Sequence, residues 1–178
     1  MGRDRYKIYD NAYPHFLTCT IAGWTPIFTR QSTVDIVLES WNYLRENREF
    51  RLFAFVILEN HLHLIASSPN LAVDIGDFKS YTARRIIDFL KSTGQRKTLK
   101  LLRYHKKRHK TDREFQLWEE GSHPKEIDSD EMMWQKIEYI HDNPVKRGYV
   151  DLPEHWRYSS ARNYMQLPGL IYVDTDWR

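Results

Sequence analysis

The stretch Phe53-Ala-Phe-Val-Ile-Leu-Glu-Asn-His-Leu-His-Leu-Ile65 is a long run of apolar, β-forming residues, interrupted midway by the polar cluster Glu59-Asn-His61. This composition and this interruption predict two strands joined by a tight turn. Because side chains alternate between the faces of a strand, His61 and His63 project from one face and the leucines beside them from the other. The two imidazoles, about 7 Å apart at their Cα atoms, can converge on one divalent metal ion.

A histidine pair alone is weak evidence for a metal site, since two histidines on a strand are more often solvated or hydrogen-bonded side chains. A second stretch, Tyr139-Ile-His-Asp-Asn143-Pro-Val, strengthens the interpretation. Tyr139 and Asn143 are four residues apart on a predicted helix and therefore lie on one face of it. Asn143 offers a carbonyl oxygen as a third metal ligand, and Tyr139 offers a nucleophilic oxygen beside it. Ordinary packing is the alternative role for Tyr139, which is one of 11 tyrosines.

The two stretches together resemble a known family. His61-Leu-His63, followed far downstream by a Tyr-x-x-x-Asn helix, is similar to the single-tyrosine HUH transposases, and most similar to the REP-associated tyrosine transposases among them. In that branch a tyrosine helix runs into Asn-Pro-Val, a basic pair and a glycine, and a Trp-x-Tyr-Ser-Ser motif follows. The same pattern is present here at 139–150 and at 156–160, and the resemblance spans about residues 15–164.

The resemblance implies metal-dependent cleavage and rejoining of single-stranded DNA. His61, His63 and Asn143 would hold Mg²⁺ or Mn²⁺, and Tyr139 would attack the scissile phosphate to give a 5′-phosphotyrosine and a free 3′-hydroxyl. The implied substrate is a hairpin-forming repeat with its cleavage site in the flanking single strand. Asn143 stands where the wider superfamily has glutamine, a departure that the REP-associated branch shares. Both a monomer and a homodimer are compatible with the resemblance.

Basic residues are concentrated between Lys79 and Arg113, a segment with 13 of the chain's 27 lysines and arginines but only two acidic residues. Such a concentration favours a polyanionic partner, although a solvated helical face and loop would have the same composition. After the tyrosine helix, basic residues alternate with aromatic ones, a pattern that suits either unpaired nucleobases or a C-terminal cap. The predicted DNA-binding residues are Lys79, Arg84, Arg85, Lys106, Lys107, Arg108, Lys146, Arg147 and Arg157.

The size and composition of the chain suit one folded domain, with 178 residues, 41% hydrophobic and 14% aromatic. No apolar run reaches the roughly 20 residues that span a bilayer, and the N-terminus, Met-Gly-Arg-Asp-Arg, lacks an apolar signal core. We therefore expect a cytoplasmic, nucleoid-associated protein with no membrane partner. The single cysteine, Cys19, excludes an internal disulfide and is more typical of buried packing than of a nucleophile.

Other segments have the patterns of regular structure. Residues 15–22 alternate like a strand, and apolar residues at helical spacing predict a helix over 32–47. A second helix begins at Asp74 or just before it, with an apolar stripe facing the sheet and basic residues on its outer face. Residues 114–118 resemble a fourth strand.

The tyrosine helix has a well-marked predicted start. Asp128 is its expected N-cap, Glu131 follows three residues later, and the first turn is negatively charged. Pro144 and Gly148 are expected to end the helix. Beyond it, residues 170–173 are expected to form either a short edge strand or a tail.

The order of these elements predicts an α+β fold, with a ferredoxin-like or RRM-like antiparallel sheet, helices packed on one face and a C-terminal helix that bears the tyrosine. We predict a single domain over 1–178. Within it, residues 1–14 form an N-terminal arm, 94–113 a basic connector with some helical periodicity, and 150–178 a C-terminal extension.

Several residues compete with the predicted site. Tyr81 is a rival nucleophile, but Arg85, four residues on, cannot ligate a metal. His105 and His109 have the spacing of a helical metal site, among cationic neighbours that disfavour one, and are therefore candidates for phosphate contact. His123 lies beside a proline, where a structural role in a turn is expected before one in catalysis.

Two other functions are compatible with these patterns. The chain could be a non-catalytic RRM-like module that binds nucleic acid, with the histidines contacting only phosphate. It could also be a metal-dependent phosphohydrolase that uses water as the nucleophile, which would tolerate Tyr139→Phe. Loss of metal binding on replacement of either His61 or Asn143 would argue against the binding module, which needs neither.

Overall fold

The structure is a computed structural model that describes residues 13–177, so nearly all of the predicted N-terminal arm lies outside the described residues. Four strands form one antiparallel sheet in the order β2-β3-β1-β4. Their bounds are β1 His15–Thr20, β2 Arg51–Ile57, β3 His61–Ser67 and β4 Lys125–Glu126. This is the split βαβ order of the ferredoxin-like fold, and the predicted fold class is confirmed.

Within residues 13–177 five α-helices pack around the sheet. They are α1 Gln31–Asn47, α2 Leu71–Ser92, α3 Arg96–Tyr104, α4 Asp130–Lys146 and α5 Ala161–Tyr164, and short 3₁₀ turns lie at Ala22–Trp24 and Pro153–His155. Within residues 13–177, none of these helices has the length and apolar character needed to cross a membrane.

Alternation along β3 divides the core into two layers. Leu62, Leu64 and Ala66 join the apolar cluster that α1 and α2 form on one face of the sheet. Ile65 points to the other face, where it packs with Ile137 and Ile140 of α4. The tyrosine helix therefore covers the sheet face opposite to the one that α1 and α2 cover, because both faces of this sheet are apolar enough to bury a helix.

The strand register places the histidine pair on the α4 face. β1 and β3 are antiparallel, with Thr18 paired with His63 and Thr20 paired with His61. The polar side chains of β1 and β3 therefore lie side by side beneath α4, whereas the leucines of the same strands point to α1 and α2.

The predicted strand at 114–118 is wrong. Phe115, Leu117 and Trp118 are buried in the α1–α2 layer, but only Trp118 makes a bridge, with Ile21 beyond the end of β1. The segment pairs with the chain at the end of β1 only at this bridge, through the Ala22 amide to the Leu117 carbonyl and the Glu119 amide to the Thr20 carbonyl, and its apolar side chains pack into the core. The fourth strand is instead β4, two exposed charged residues that pair with the start of β1.

The boundaries of α4 differ from the prediction at both ends. Its N-cap is Ser129 rather than Asp128, and the Ser129 hydroxyl accepts a hydrogen bond from the Met132 amide. Pro144 lies inside the helix instead of ending it. The helix ends at Lys146, and Gly148, just beyond the C-cap Arg147, has a left-handed φ of 71° and donates its amide to the Val145 carbonyl.

The two segments predicted as connector and extension also contain ordered structure. The basic connector holds α3, which buries Leu102 against the α1–α2 layer. Residues 170–173 form no strand, but Ile171 and Val173 are buried in the same layer. The Asp174 amide then donates to the Leu52 carbonyl, so the tail lies along the outer edge of β2.

Candidate active site

The histidine pair is buried between the sheet and α4. His61 and His63 are 3% and 6% exposed, and their ring centroids are 5.0 Å apart. Asn60 Oδ1 lies 2.7 Å from His61 Nδ1, and Thr18 Oγ1 lies 2.9 Å from His63 Nδ1. Because an oxygen engages each Nδ1, Nε2 is the ring nitrogen left to bind a ligand.

Both imidazoles are held in the neutral form. Burial, followed by the positive charge of Arg147, lowers the pKa of His61 to about 4, although Glu59 opposes this shift. Burial, the neighbouring His61 and the charges of Arg147 and Lys136 lower the pKa of His63 to about 3. A metal ion binds only neutral imidazole, so the pair is already in the protonation state that ligation requires at neutral pH.

Tyr139 lies directly beside the pair. Its ring centroid is 5.5 Å from that of His63, with the two rings at 68°, and the tyrosine is 41% exposed. Phe16 completes this contact, since its ring stacks on His63 at 5.3 Å and meets Tyr139 edge-on at 5.8 Å. The phenol is therefore positioned by packing and remains open to a substrate.

Asn143 is one helical turn beyond Tyr139 and 8% exposed. Its Oδ1 accepts a hydrogen bond of 3.0 Å from Arg147 Nε, and Arg147 also reaches Glu59 Oε1 at 3.5 Å. Tyr149 donates its hydroxyl to the same Glu59 oxygen. The β2–β3 turn is thus joined to the end of α4 through a carboxylate that two side chains share.

The donor set fits a metal ion, with one competing interaction. Within residues 13–177 no three histidine, cysteine, aspartate or glutamate side chains form a metal-ligating group, so a third protein ligand would be an oxygen of another residue type, such as the amide oxygen of Asn143. One Asn143 Oδ1 lone pair accepts from Arg147, and the second is available for coordination.

Two neighbours of the site were missed by the sequence argument. Lys136 Nζ lies 5.1 Å from the centre of the Phe16 ring and 5.8 Å from that of Tyr139, and burial lowers the pKa of this lysine. Its position three residues before Tyr139 on a helix was the available signal. Trp24 meets His61 edge-on at 5.5 Å, and nothing in its sequence neighbourhood indicates this contact.

The competing residues lie elsewhere. Tyr81 is on α2, across the sheet from the histidine pair, and its hydroxyl accepts from Arg85. His109 bonds to Glu120 at 2.9 Å, and the His105 ring packs against Gly23, so the structure does not pair these two histidines. His123 lies outside regular secondary structure and has a left-handed φ of 45°.

The predicted DNA-binding residues fall into separate groups. Arg84 and Arg85 are exposed on α2, whereas Lys79 of the same helix donates to the Glu119 and Gly121 carbonyls. Lys106 donates to the Lys110 carbonyl, and Lys107 forms ion pairs with Glu119 and Glu120. Lys146 forms an ion pair with Asp142. Arg108 and Arg157 are exposed. Among these residues Lys146 is the last residue of the helix that carries Tyr139, and Arg147 is the C-cap of that helix.

The structure thus combines a ferredoxin-like sheet, a buried histidine pair on β3 and a tyrosine of α4 beside that pair. No family model matches the sequence. A REP-associated tyrosine transposase of Haemophilus influenzae is 31% identical over 132 residues, which are 74% of this chain and 69% of that relative. The chain belongs to the REP-associated tyrosine transposases.

A solved structure supports the fold independently. It is described as a REP-associated tyrosine transposase bound to a REP hairpin, and it matches this chain with a TM-score of 0.68. The match covers 99% of this chain and 94% of the other, at 17% sequence identity. At that identity the likeness establishes the shared fold.

Proposed function

We propose that the protein cleaves and rejoins single-stranded DNA beside a hairpin-forming repeat, with Tyr139 as the nucleophile. The observation that carries this proposal is the contact of an exposed tyrosine with a buried, neutral histidine pair at 5.5 Å. At 41% exposure the Tyr139 hydroxyl-bearing ring is accessible to a DNA strand. Membership of the transposase family supports the same conclusion.

In the proposed reaction the Tyr139 Oη attacks the scissile phosphorus. The new P–Oη bond forms as the P–O3′ bond breaks, and the phenolic proton is lost while the departing 3′-oxygen gains one. The product is a 5′-phosphotyrosine and a free 3′-hydroxyl. Attack by a 3′-hydroxyl reverses the step, so one phosphodiester is exchanged for another and rejoining needs no ATP.

His61, His63 and Asn143 would hold Mg²⁺ or Mn²⁺. Such an ion, when bound, polarises the phosphate and neutralises charge that develops on its oxygens. Lys136, whose Nζ lies 5.8 Å from the centre of the Tyr139 ring, adds a positive charge beside the nucleophile that would attract the phosphate.

The proposed substrate follows from relatives and from charge. The solved relative is bound to a REP hairpin, and we extend that partner to this chain. Within residues 13–177, Arg84, Arg108 and Arg157 are exposed and form no ion pair, so their charges are available to phosphates.

The test is incubation of the protein with Mn²⁺ or Mg²⁺ and labelled single-stranded hairpins from repeats beside its own gene, followed by denaturing electrophoresis. The wild type should form a covalent protein–DNA band that Tyr139→Phe abolishes. Tyr81→Phe is the matched control, because Tyr81 is similarly exposed but lies across the sheet, and it should retain the band.

A separate experiment tests the metal ligands. Chelation with EDTA, or His63→Gln, should abolish the covalent band while hairpin binding persists. Binding without covalent product across both metals and all hairpins would contradict the proposal and favour a non-catalytic binding module. Cleavage that survives Tyr139→Phe would favour a hydrolase.

A further inference from the structure

Trp24 is an exposed aromatic residue at the edge of the site. It ends the short 3₁₀ turn Ala22–Trp24 that follows β1, and 59% of its surface is exposed. The turn is held by backbone bonds, since the Trp24 amide donates to the Ile21 carbonyl and the Ala22 amide to the Leu117 carbonyl. The indole is therefore presented to solvent by an ordered backbone.

The backbone of Trp24 is unusual for a bulky residue. Its φ is 54°, in the left-handed region, and the preceding Gly23 has a φ of 61°. A side chain with a Cβ pays a steric cost in this conformation, and such residues concentrate at functional sites. Because the exposed indole gains little from burial, the fold itself does not account for a tryptophan here.

Trp24 stands at one end of a row of rings. Its ring meets His61 edge-on at 5.5 Å, and His61 lies 5.0 Å from His63. His63 in turn lies 5.5 Å from Tyr139 at the other end. The indole and the phenol thus flank the histidine pair from opposite sides.

This arrangement assigns a direction to the DNA. In the transfer to Tyr139 the attacking and leaving oxygens are roughly in line across the phosphorus. A phosphate over the histidine pair then has its departing 3′-oxygen on the side away from Tyr139, which is the side of Trp24. The nucleotide that carries this oxygen is the one immediately 5′ of the scissile phosphate.

We propose that Trp24 is a stacking subsite for the nucleobase immediately 5′ of the scissile phosphate. The inference rests on the proposed function, because it names a position relative to the cleaved bond. Aromatic side chains stack on every base, so the subsite positions the strand without reading its sequence. Its role is to hold the 3′-hydroxyl in place between cleavage and rejoining.

The test is a double-mutant cycle on a hairpin with a single-stranded flank, after the cleavage position has been read from the wild-type product. One arm is Trp24→Ala, and the other is an abasic site at the nucleotide 5′ of the cleaved bond. Each alone should weaken binding by about 10- to 100-fold, and the two together by little more than either. Trp24→Phe should recover most of the affinity.

Controls separate stacking from folding. Tyr43→Ala removes a comparably exposed aromatic residue from α1, across the sheet, and should leave affinity unchanged. Trp24→Asn provides a second variant, because asparagine tolerates a left-handed backbone, and it should behave like Trp24→Ala. An abasic site elsewhere in the flank should add independently to the loss from Trp24→Ala.

The inference would be overturned if the losses of affinity from Trp24→Ala and from the abasic site at the 5′ nucleotide were additive. It would also be overturned if neither Trp24→Ala nor Trp24→Asn lost affinity. In both cases a covalent band from the wild type would still support the proposed function. Absence of that band in the wild type would overturn the proposed function, and the inference with it.

Discussion

At the scale of single residues, the chemistry of His63 depends on a hydroxyl from another strand. Thr18 lies opposite His63 in the β1–β3 register, and its Oγ1 is 2.9 Å from His63 Nδ1. Such a partner orients the ring and leaves Nε2 directed at a ligand. His61 receives the same support from Asn60, its neighbour in the chain.

Thr18→Val should therefore weaken metal binding. The substitution is nearly isosteric but removes the hydrogen bond to His63, and loss of such a contact typically costs about 10- to 100-fold in metal affinity. Titration of Mn²⁺, followed by electron paramagnetic resonance, measures the change. Thr20→Val is the matched control, because Asn60 rather than Thr20 supports His61, and an equal loss in both variants would contradict the argument.

At the scale of elements, α4 is tied to the sheet by a buried polar link. His141, two residues after Tyr139, bonds through Nε2 to Ser160 Oγ at 2.8 Å, and the Phe55 amide of β2 donates to the same hydroxyl. The Ser160 amide also donates to the Phe55 carbonyl. The segment after α4 therefore pairs with the outer edge of β2 and fixes the helix that carries the nucleophile.

This link should make stability depend on pH. Burial lowers the pKa of His141 to about 4, from an ordinary value near 6.5, so the folded protein holds this ring neutral. The contribution of the neutral His141 ring to the free energy of unfolding is fully present above pH 6.5. It is lost as the pH falls towards 4, because over this range the unfolded chain takes up a proton at His141 and the folded chain does not.

Urea denaturation of the metal-free protein between pH 7.5 and 4.5 measures this dependence. As the pH is lowered from 7.5 to 4.5, the free energy of unfolding of the wild type should decrease. It should decrease less steeply in His141→Gln, because glutamine takes up no proton in this range. Parallel curves for the two proteins would show that His141 does not contribute.

At the scale of the whole molecule, positive charge serves two purposes. Arg84 is exposed on α2 and forms no ion pair within the described residues, which suits contact with phosphate. Lys79, on the same helix, instead directs its Nζ at the carbonyls of Glu119 and Gly121, at 2.7 and 2.6 Å, and burial lowers its pKa. Lys79 therefore stabilises the contact between α2 and the loop at residues 119–121.

Lys79→Met and Arg84→Gln should therefore have opposite signatures. Lys79→Met should lower the free energy of unfolding by about 1–3 kcal/mol, because two carbonyls lose a charged donor. Arg84→Gln should leave stability within about 0.5 kcal/mol but weaken hairpin binding and reduce the slope of log affinity against log salt by about 1. Urea denaturation and binding at several salt concentrations separate the two, and a reduced salt slope in Lys79→Met alone would contradict this assignment.

Features that depend on local pattern could be predicted from the amino-acid sequence. Alternation in the apolar run around His61 and His63 predicts β2 and β3, and the ferredoxin-like class follows from the order of strands and helices. The spacing of Tyr139 and Asn143 likewise places them on one face of α4, and the resemblance to REP-associated tyrosine transposases agrees with the family to which the chain belongs. The roles of these residues in metal binding and catalysis remain predictions.

Tertiary structure decided the features that depend on contacts between distant segments. The composition of a segment does not show whether its backbone pairs in a sheet or only its side chains pack in the core, so the apolar segment at 114–118 resembled a strand. The strand β4 consists of two charged residues and has no pattern that a sequence could reveal. The support of His63 by Thr18 requires the β1–β3 register, and the approach of Trp24 to His61 requires the turn after β1. Only the folded chain creates these contacts, because the energy that selects them comes from packing between distant segments rather than from local preference.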